Sequence, residues 1–122
     1  MKATIIGIVL FASFFTCCGT TAELQVSNVA PALELATERH DVYVAADATI
    51  SQTEQSRYLA QSAGLMGAFS SGQDYVPIEA VRADLEEVAD RHDAYVGADG
   101  AISEAQRARW LRTTQQMRDL LR

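Results

Sequence analysis

Residues 91–103 read RHDAYVGADGAIS, and residues 39–51 read RHDVYVAADATIS. Nine of these thirteen places are identical. The match widens when the chain is laid on itself at a shift of 52, residues 29–65 on 81–117 without a gap. Val29/Val81, Leu33/Leu85, Arg57/Arg109 and Leu59/Leu111 then coincide, and Tyr58 falls on Trp110. Self-similarity at such a period marks one supersecondary unit used twice.

Each unit reads as two helices. In the second copy Ile78, Val81, Leu85, Val88, His92 and Tyr95 recur at steps of three and four, one apolar helical stripe. The first copy repeats the stripe as Val29, Leu33, Ala36, His40 and Tyr43. Pro77 suits the first turn of the third helix, where its missing N–H is not needed. Ser51-Gln52-Thr53-Glu54 and Ser103-Glu104-Ala105-Gln106 both fit the capping box that opens a helix. Ile50 and Ile102 occupy the staple position, but Gln55 and Arg107 stand where its apolar partner belongs, so both isoleucines are expected in the core. In the second helices Tyr58, Leu59, Leu65, Met66 and Phe69, and Trp110, Leu111, Met117, Leu120 and Leu121, form the apolar faces. Residues 67–76 (GAFSSGQDYV) read as the loop between copies. One amphipathic hairpin cannot bury its own apolar face, whereas two can bury theirs against each other. The expected fold is therefore all-α: two duplicated helical hairpins, about 29–66 and about 77–121, forming a small four-helix bundle after an N-terminal export signal.

That signal occupies residues 1–22, leaving 23–122 for the helical domain. Lys2 is followed by an apolar run from Ala3 to Phe15, and no further charge precedes Glu23. Three routes stay open. Cys17 or Cys18 is the candidate for lipidation, although Phe14-Phe15-Thr16 is a poor lead-in to an acylated cysteine. Thr20-Thr21-Ala22 offers the small residues of a signal-peptidase site. The uncharged stretch also approaches the roughly 20 residues of an uncleaved membrane anchor. Each route places the body of the chain outside the cytoplasm, at the cell envelope. That body has no cysteine and must be held by packing alone.

Every Asp and Glu lies beyond residue 22, where the only basic residues are arginines. The acidic balance excludes a nucleic-acid partner, which needs a basic footprint. Acid concentrates in residues 79–93 and arginine in 107–122, and helices of opposite charge ordinarily lie side by side.

The repeated RHD carries the candidate chemistry. His40 and His92 sit on the apolar stripes at equivalent places and could meet across a pseudo-twofold axis, but a zinc site needs further His or Cys ligands. Asp41 and Asp93 lie near helix C-termini, where negative charge is disfavoured. Arg57 and Arg109, in the following helices, are the expected ion-pair partners, making RHD a latch at the hairpin bend. Residues 95–106 resemble half of an EF-hand calcium loop, with Asp99, Gly100, Ile102, Ser103 and Gln106 in register, and Asp47 is the matching acid of the first copy. Tyr95 and Gly97 stand where the first acidic ligands belong, so Asp47 and Asp99 are weak calcium candidates and no cofactor is expected. Tyr43, Tyr95, Tyr58 and Trp110 read as core aromatics rather than a ligand platform.

No nucleophile with a sequence-linked base, no phosphate loop and no HExxH motif is present, so the chain is not read as an enzyme. The expectation is an exported, membrane-anchored structural or interaction protein whose partner is another envelope protein. The alternatives are an ion-responsive module, or an inhibitor of an envelope enzyme acting through Asp74 and Tyr75 in the central loop.

Overall fold

The structure, a computed structural model, describes residues 22–122. The export segment up to Thr21, with the lipidation candidates Cys17 and Cys18, lies outside the described residues. The order is β1 (Glu23–Gln25), α1 (Val26–Ala46), α2 (Gln52–Phe69), β2 (Tyr75–Pro77), α3 (Ile78–Ala98) and α4 (Glu104–Leu120). The four helices form the expected bundle of two hairpins. No helix among the described residues is long and apolar enough to cross a membrane.

The repeat is longer than its most similar stretch. Strand β1 and helix α1 fall on β2 and α3 at the same shift of 52. The strands pair antiparallel with Leu24 opposite Val76, Glu23 opposite Pro77 and Gln25 opposite Tyr75. Each helix then starts on a bond from the other copy, Val26 N–H to the Asp74 carbonyl and Ile78 N–H to the Ala22 carbonyl, both 2.9 Å. These pairs exchange under a two-fold rotation. Pro77 is accordingly the residue before α3 rather than in its first turn.

The loop expected over residues 67–76 shrinks to Ser70–Asp74. Phe69 is buried in the core and carries α2 onward, and β1 draws Tyr75–Pro77 into a strand. Gly72, at φ +87°, takes the left-handed turn between them, a conformation that favours glycine.

Burial follows helical spacing. Val29, Leu33, Ala36, Thr37, His40 and Val44 are buried on α1, and Val81, Leu85, Val88, Ala89, His92 and Val96 at the matching places of α3. Val44 and Val96, rather than Tyr43 and Tyr95, continue the stripes inward. The second helices bury less: Ser62, Leu65 and Phe69 on α2, Thr114 and Met117 on α4, with Leu121 just beyond. Leu120 is exposed, and Tyr58, Leu59, Met66, Trp110 and Leu111 are half-buried. The main core lies between the strands and the middle of the helices, centred on Leu33, Leu65, Leu85 and Met117. Fully burying each of these side chains stabilises the fold by about 2 kcal/mol.

The bends follow local rules. Ser51 and Glu54 form the full reciprocal capping box, with Glu54 N–H to Ser51 Oγ at 3.0 Å and Ser51 N–H to Glu54 Oε1 at 3.2 Å. At Ser103 one half forms, Gln106 N–H to Oγ at 3.1 Å. Ser51→Ala is expected to cost about 1 kcal/mol, measured as a lower urea midpoint at unchanged slope. Ile50 and Ile102 do not enter the core; both stay half-buried at the bends. Gln55 and Arg107, which broke the expected staple, serve the preceding helix instead. Gln55 Nε2 donates to the Val44 and Ala45 carbonyls at 3.2 Å, and Arg107 donates to those of Val96, Gly97 and Asp99. Helix C-termini leave such carbonyls without intrahelical donors.

Candidate functional site

The repeated RHD meets itself across the pseudo-twofold axis. His40 and His92 are both 0 % exposed. Asp41 Oδ1 lies 2.8 Å from His40 Nδ1, and Asp93 Oδ1 lies 2.8 Å from His92 Nδ1. A carboxylate can only accept, so each Nδ1 carries hydrogen and donates. The other ring nitrogen faces the opposite copy, with Arg91 Nη1 3.2 Å from His40 Nε2 and Arg39 Nη1 3.0 Å from His92 Nε2. Guanidinium can only donate, so each Nε2 accepts. The two histidines are thus placed as neutral Nδ1–H tautomers between an acid of their own copy and an arginine of the other.

Burial lowers the His40 pKa, and the charge of Arg91 adds to this against the opposing pull of Asp41. Protonation would turn Nε2 into a donor pointing at another donor.

Hydroxyls complete the layer. Ser62 Oγ and Thr114 Oγ1 donate to Asp41 Oδ1 and Asp93 Oδ1, each at 2.6 Å. They occupy equivalent places of α2 and α4. The expected latch to Arg57 and Arg109 does not form. Arg57 lies over the Tyr58 ring, 4.9 Å from its centroid, and Arg109 is an exposed residue without an ion pair among those described. It is the next turns of α2 and α4, carrying Ser62 and Thr114, that face the aspartates. Asp93 has a further partner, Arg118 at 2.8 Å, which also holds Asp90 at 2.9 Å. Burial raises the Asp93 pKa, but bonds from His92, Thr114 and Arg118 outweigh it and hold the carboxyl below its ordinary range. Arg118 is the one α4 arginine ion-paired to α3 among the described residues, so the expected wholesale pairing of basic α4 with acidic α3 is confined to this point.

Beyond the histidines a second pair of crossings closes the bend end. Tyr43 and Tyr95 stack with ring centroids 5.4 Å apart and planes 7° from parallel. Tyr43 Oη donates to Asp99 Oδ2 and Tyr95 Oη to Asp47 Oδ2, each at 2.7 Å. Burial first, then the carboxylate each one bonds, pushes both phenols up to about 12. The remaining oxygen of Asp47 accepts from Thr49 N–H and Oγ1, and that of Asp99 from Ala101 N–H. The calcium candidates therefore turn their carboxylates to protein donors, and tyrosines take the places where an EF-hand would carry its first acids. No group of three His, Cys, Asp or Glu able to hold a metal occurs among the described residues.

Outside this layer the copies differ. An open groove of about 370 Å³ runs between Leu35, Arg39, Val42, Tyr43, Asp99 and Trp110. Arg39 lies over the Trp110 ring, 4.3 Å from its centroid. The matching groove, about 340 Å³, holds Asp47, Ile50, Tyr58, Arg91, Ala94 and Tyr95, with Arg91 3.6 Å from the Tyr58 centroid. At shift 52 Leu35 corresponds to Glu87 and Val42 to Ala94. Glu87 accepts from Gln61 at 2.9 Å and pairs with Arg91 at 3.9 Å. Leu35 and Val42 instead stand 50 % and 67 % exposed.

The fold and this layer define a class: a pseudo-symmetric bundle of two strand–helix–helix units closed by a duplicated polar network. No protein-family model matches the chain, and comparison with curated proteins and with solved structures returned no match.

Proposed function

We propose that the chain is an exported helical module, held at a membrane of the cell envelope by its N-terminal segment, that binds another envelope protein without catalysing a reaction. The observation that carries the reading is the apolar pair Leu35 and Val42. The Arg–His and Tyr–Asp crossings are equivalent in the two copies, and the second copy makes them with Glu87 and Ala94 at these places. Exposed Leu and Val are therefore not needed by the fold, and apolar side chains lining one groove with an Arg–Trp stack are typical contact material for a protein partner. Both ring nitrogens of each histidine, the groups best suited to acid–base catalysis, are bonded inside the fold, which favours a non-catalytic role.

The test is the double substitution Leu35→Glu with Val42→Ala, which puts the second copy's residues at these two places. A photo-reactive residue at position 38 in intact envelopes should crosslink one protein, and the double substitution should abolish that adduct. Its unfolding free energy should stay within about 0.5 kcal/mol of the parent, as for surface changes generally. Crosslinks to lipid alone, or an adduct unchanged by the substitution, would overturn the reading.

A further inference from the structure

We infer that the surface joining the two hairpins is an association surface for a second copy of this chain, and that the protein forms a dimer by exchanging hairpins. In that dimer β1–α1–α2 of one chain packs on β2–α3–α4 of the other, twice over.

The first ground is that the hairpin interface is self-complementary. Arg39 bonds His92 as Arg91 bonds His40, Tyr43 bonds Asp99 as Tyr95 bonds Asp47, and the strand and helix-start bonds exchange in the same way. An interface in which position i meets j and j meets i is the isologous kind that joins the subunits of a two-fold dimer. Here both sides belong to one chain, and nothing in their chemistry depends on that connection.

The second ground is the connection itself. Only Ser70–Asp74 lies between Phe69 and Tyr75. In the closed monomer it must reverse the chain within that length, using Gly72 at φ +87°. Extended, the six steps from Phe69 to Tyr75 reach about 20 Å, enough to lead into a neighbouring bundle. A connection of this length can either close on its own chain or extend, and a short hinge of this kind is where copies exchange elements.

Exchange is also directional. Gln61 on α2 donates to Asp84 at 3.0 Å and Glu87 at 2.9 Å, and accepts from Arg91 at 3.0 Å. Pairing two first hairpins would set Gln61 against the places of Ala32 and Leu35, which accept nothing. The first hairpin therefore selects a second hairpin, its own or that of another chain. An exchanged dimer carries two N-terminal segments and two Leu35–Val42 patches on one particle.

Two full-length variants test this under reducing conditions. One carries His40→Ala and Tyr43→Ala, the other His92→Ala and Tyr95→Ala, so each has one intact hairpin. Unfolded together at acid pH and returned to neutral pH, they should yield a dimer in which half the bundles unite two intact hairpins. A melting transition at the parental temperature, absent from either variant alone, is the expected result. A mixture that melts as the sum of its components would overturn the proposal, and so would recovery of the parental transition in a particle of monomer mass. Independently, the parent should have dimer mass by light scattering, and deleting Ser71, Gly72 and Gln73 should leave it a folded dimer; a folded monomer from either chain would count equally against it.

Discussion

Replacing His40 with alanine is expected to destabilise the protein by about 3 kcal/mol, a large share of the stability of a domain this small. Two losses combine. The ring is fully buried at the centre of the bundle, so its removal leaves a cavity that the α1 and α3 backbones cannot close. Arg91 loses the acceptor to which it donates at 3.2 Å, and the Asp41 carboxylate loses its 2.8 Å donor. Asp41 is 43 % exposed on its side chain and regains water, which keeps the cost below that of a sealed ion pair. Urea unfolding of His40→Ala against the parent measures the effect. His40→Gln, which keeps one donor and one acceptor, should lose less. A loss under about 1 kcal/mol for His40→Ala would mean that the layer is held by its apolar surroundings and not by its bonds.

The second large effect is on acid stability. The ordinary imidazole value is 6.5, and burial lowers that of His40 in the fold. The unfolded chain therefore binds a proton at His40 at a pH where the folded chain does not. Stability is complete above 6.5 and falls as pH drops below it, until the folded group itself protonates. The groups facing the ring decide this balance. Asp41 favours the proton, while Arg91 and the ring of His92 oppose it. Asp93 adds a second, lower window. Its folded value lies below the ordinary 3.8, so its contribution is present above that value and is lost as pH falls through the folded one. The urea midpoint should accordingly be lower at about pH 5.5 than at about pH 7.5, and His40→Gln should flatten that slope. Equal midpoints for the parent would show that Nε2 accepts a proton without displacing Arg91. The same chemistry would loosen the hairpin interface on acidification, which is why acid pH is suited to mixing chains.

Much of the architecture is written locally. Stripes at steps of three and four, the Ser-x-x-Glu start at residue 51 and the shift of 52 are each set by neighbours a few residues apart, so two helical hairpins could be read directly. The strand pair was not read because three residues show no alternation. Its one trace was that Leu24 and Val76, and Val26 and Ile78, are apolar at the same shift. The hydroxyls of Ser62 and Thr114 left a similar trace, a polar pair conserved in type at equivalent places of apolar faces.

The candidate site was legible as residues and not as partners. His40, His92 and their aspartates were identifiable because the copies agree there, and the structure does bring them to one layer. Distance along the chain points to Arg57 and Arg109 as partners. The rotation of α2 and α4 about their own axes turns Ser62 and Thr114 to the aspartates instead. Likewise, each Arg adjacent to a His in sequence bonds the His of the other copy, a pairing set by how α1 docks on α3.

The sequence by itself determined that this protein is two copies of one helical hairpin, since periodicity, caps and repetition are properties of neighbouring residues. Only the tertiary structure decided that RHD is repeated to bond its own copy across an axis, and that Leu35 and Val42 are left outside. A side chain's partner is set by which faces meet, and that is fixed by packing the whole bundle rather than by any stretch of the chain.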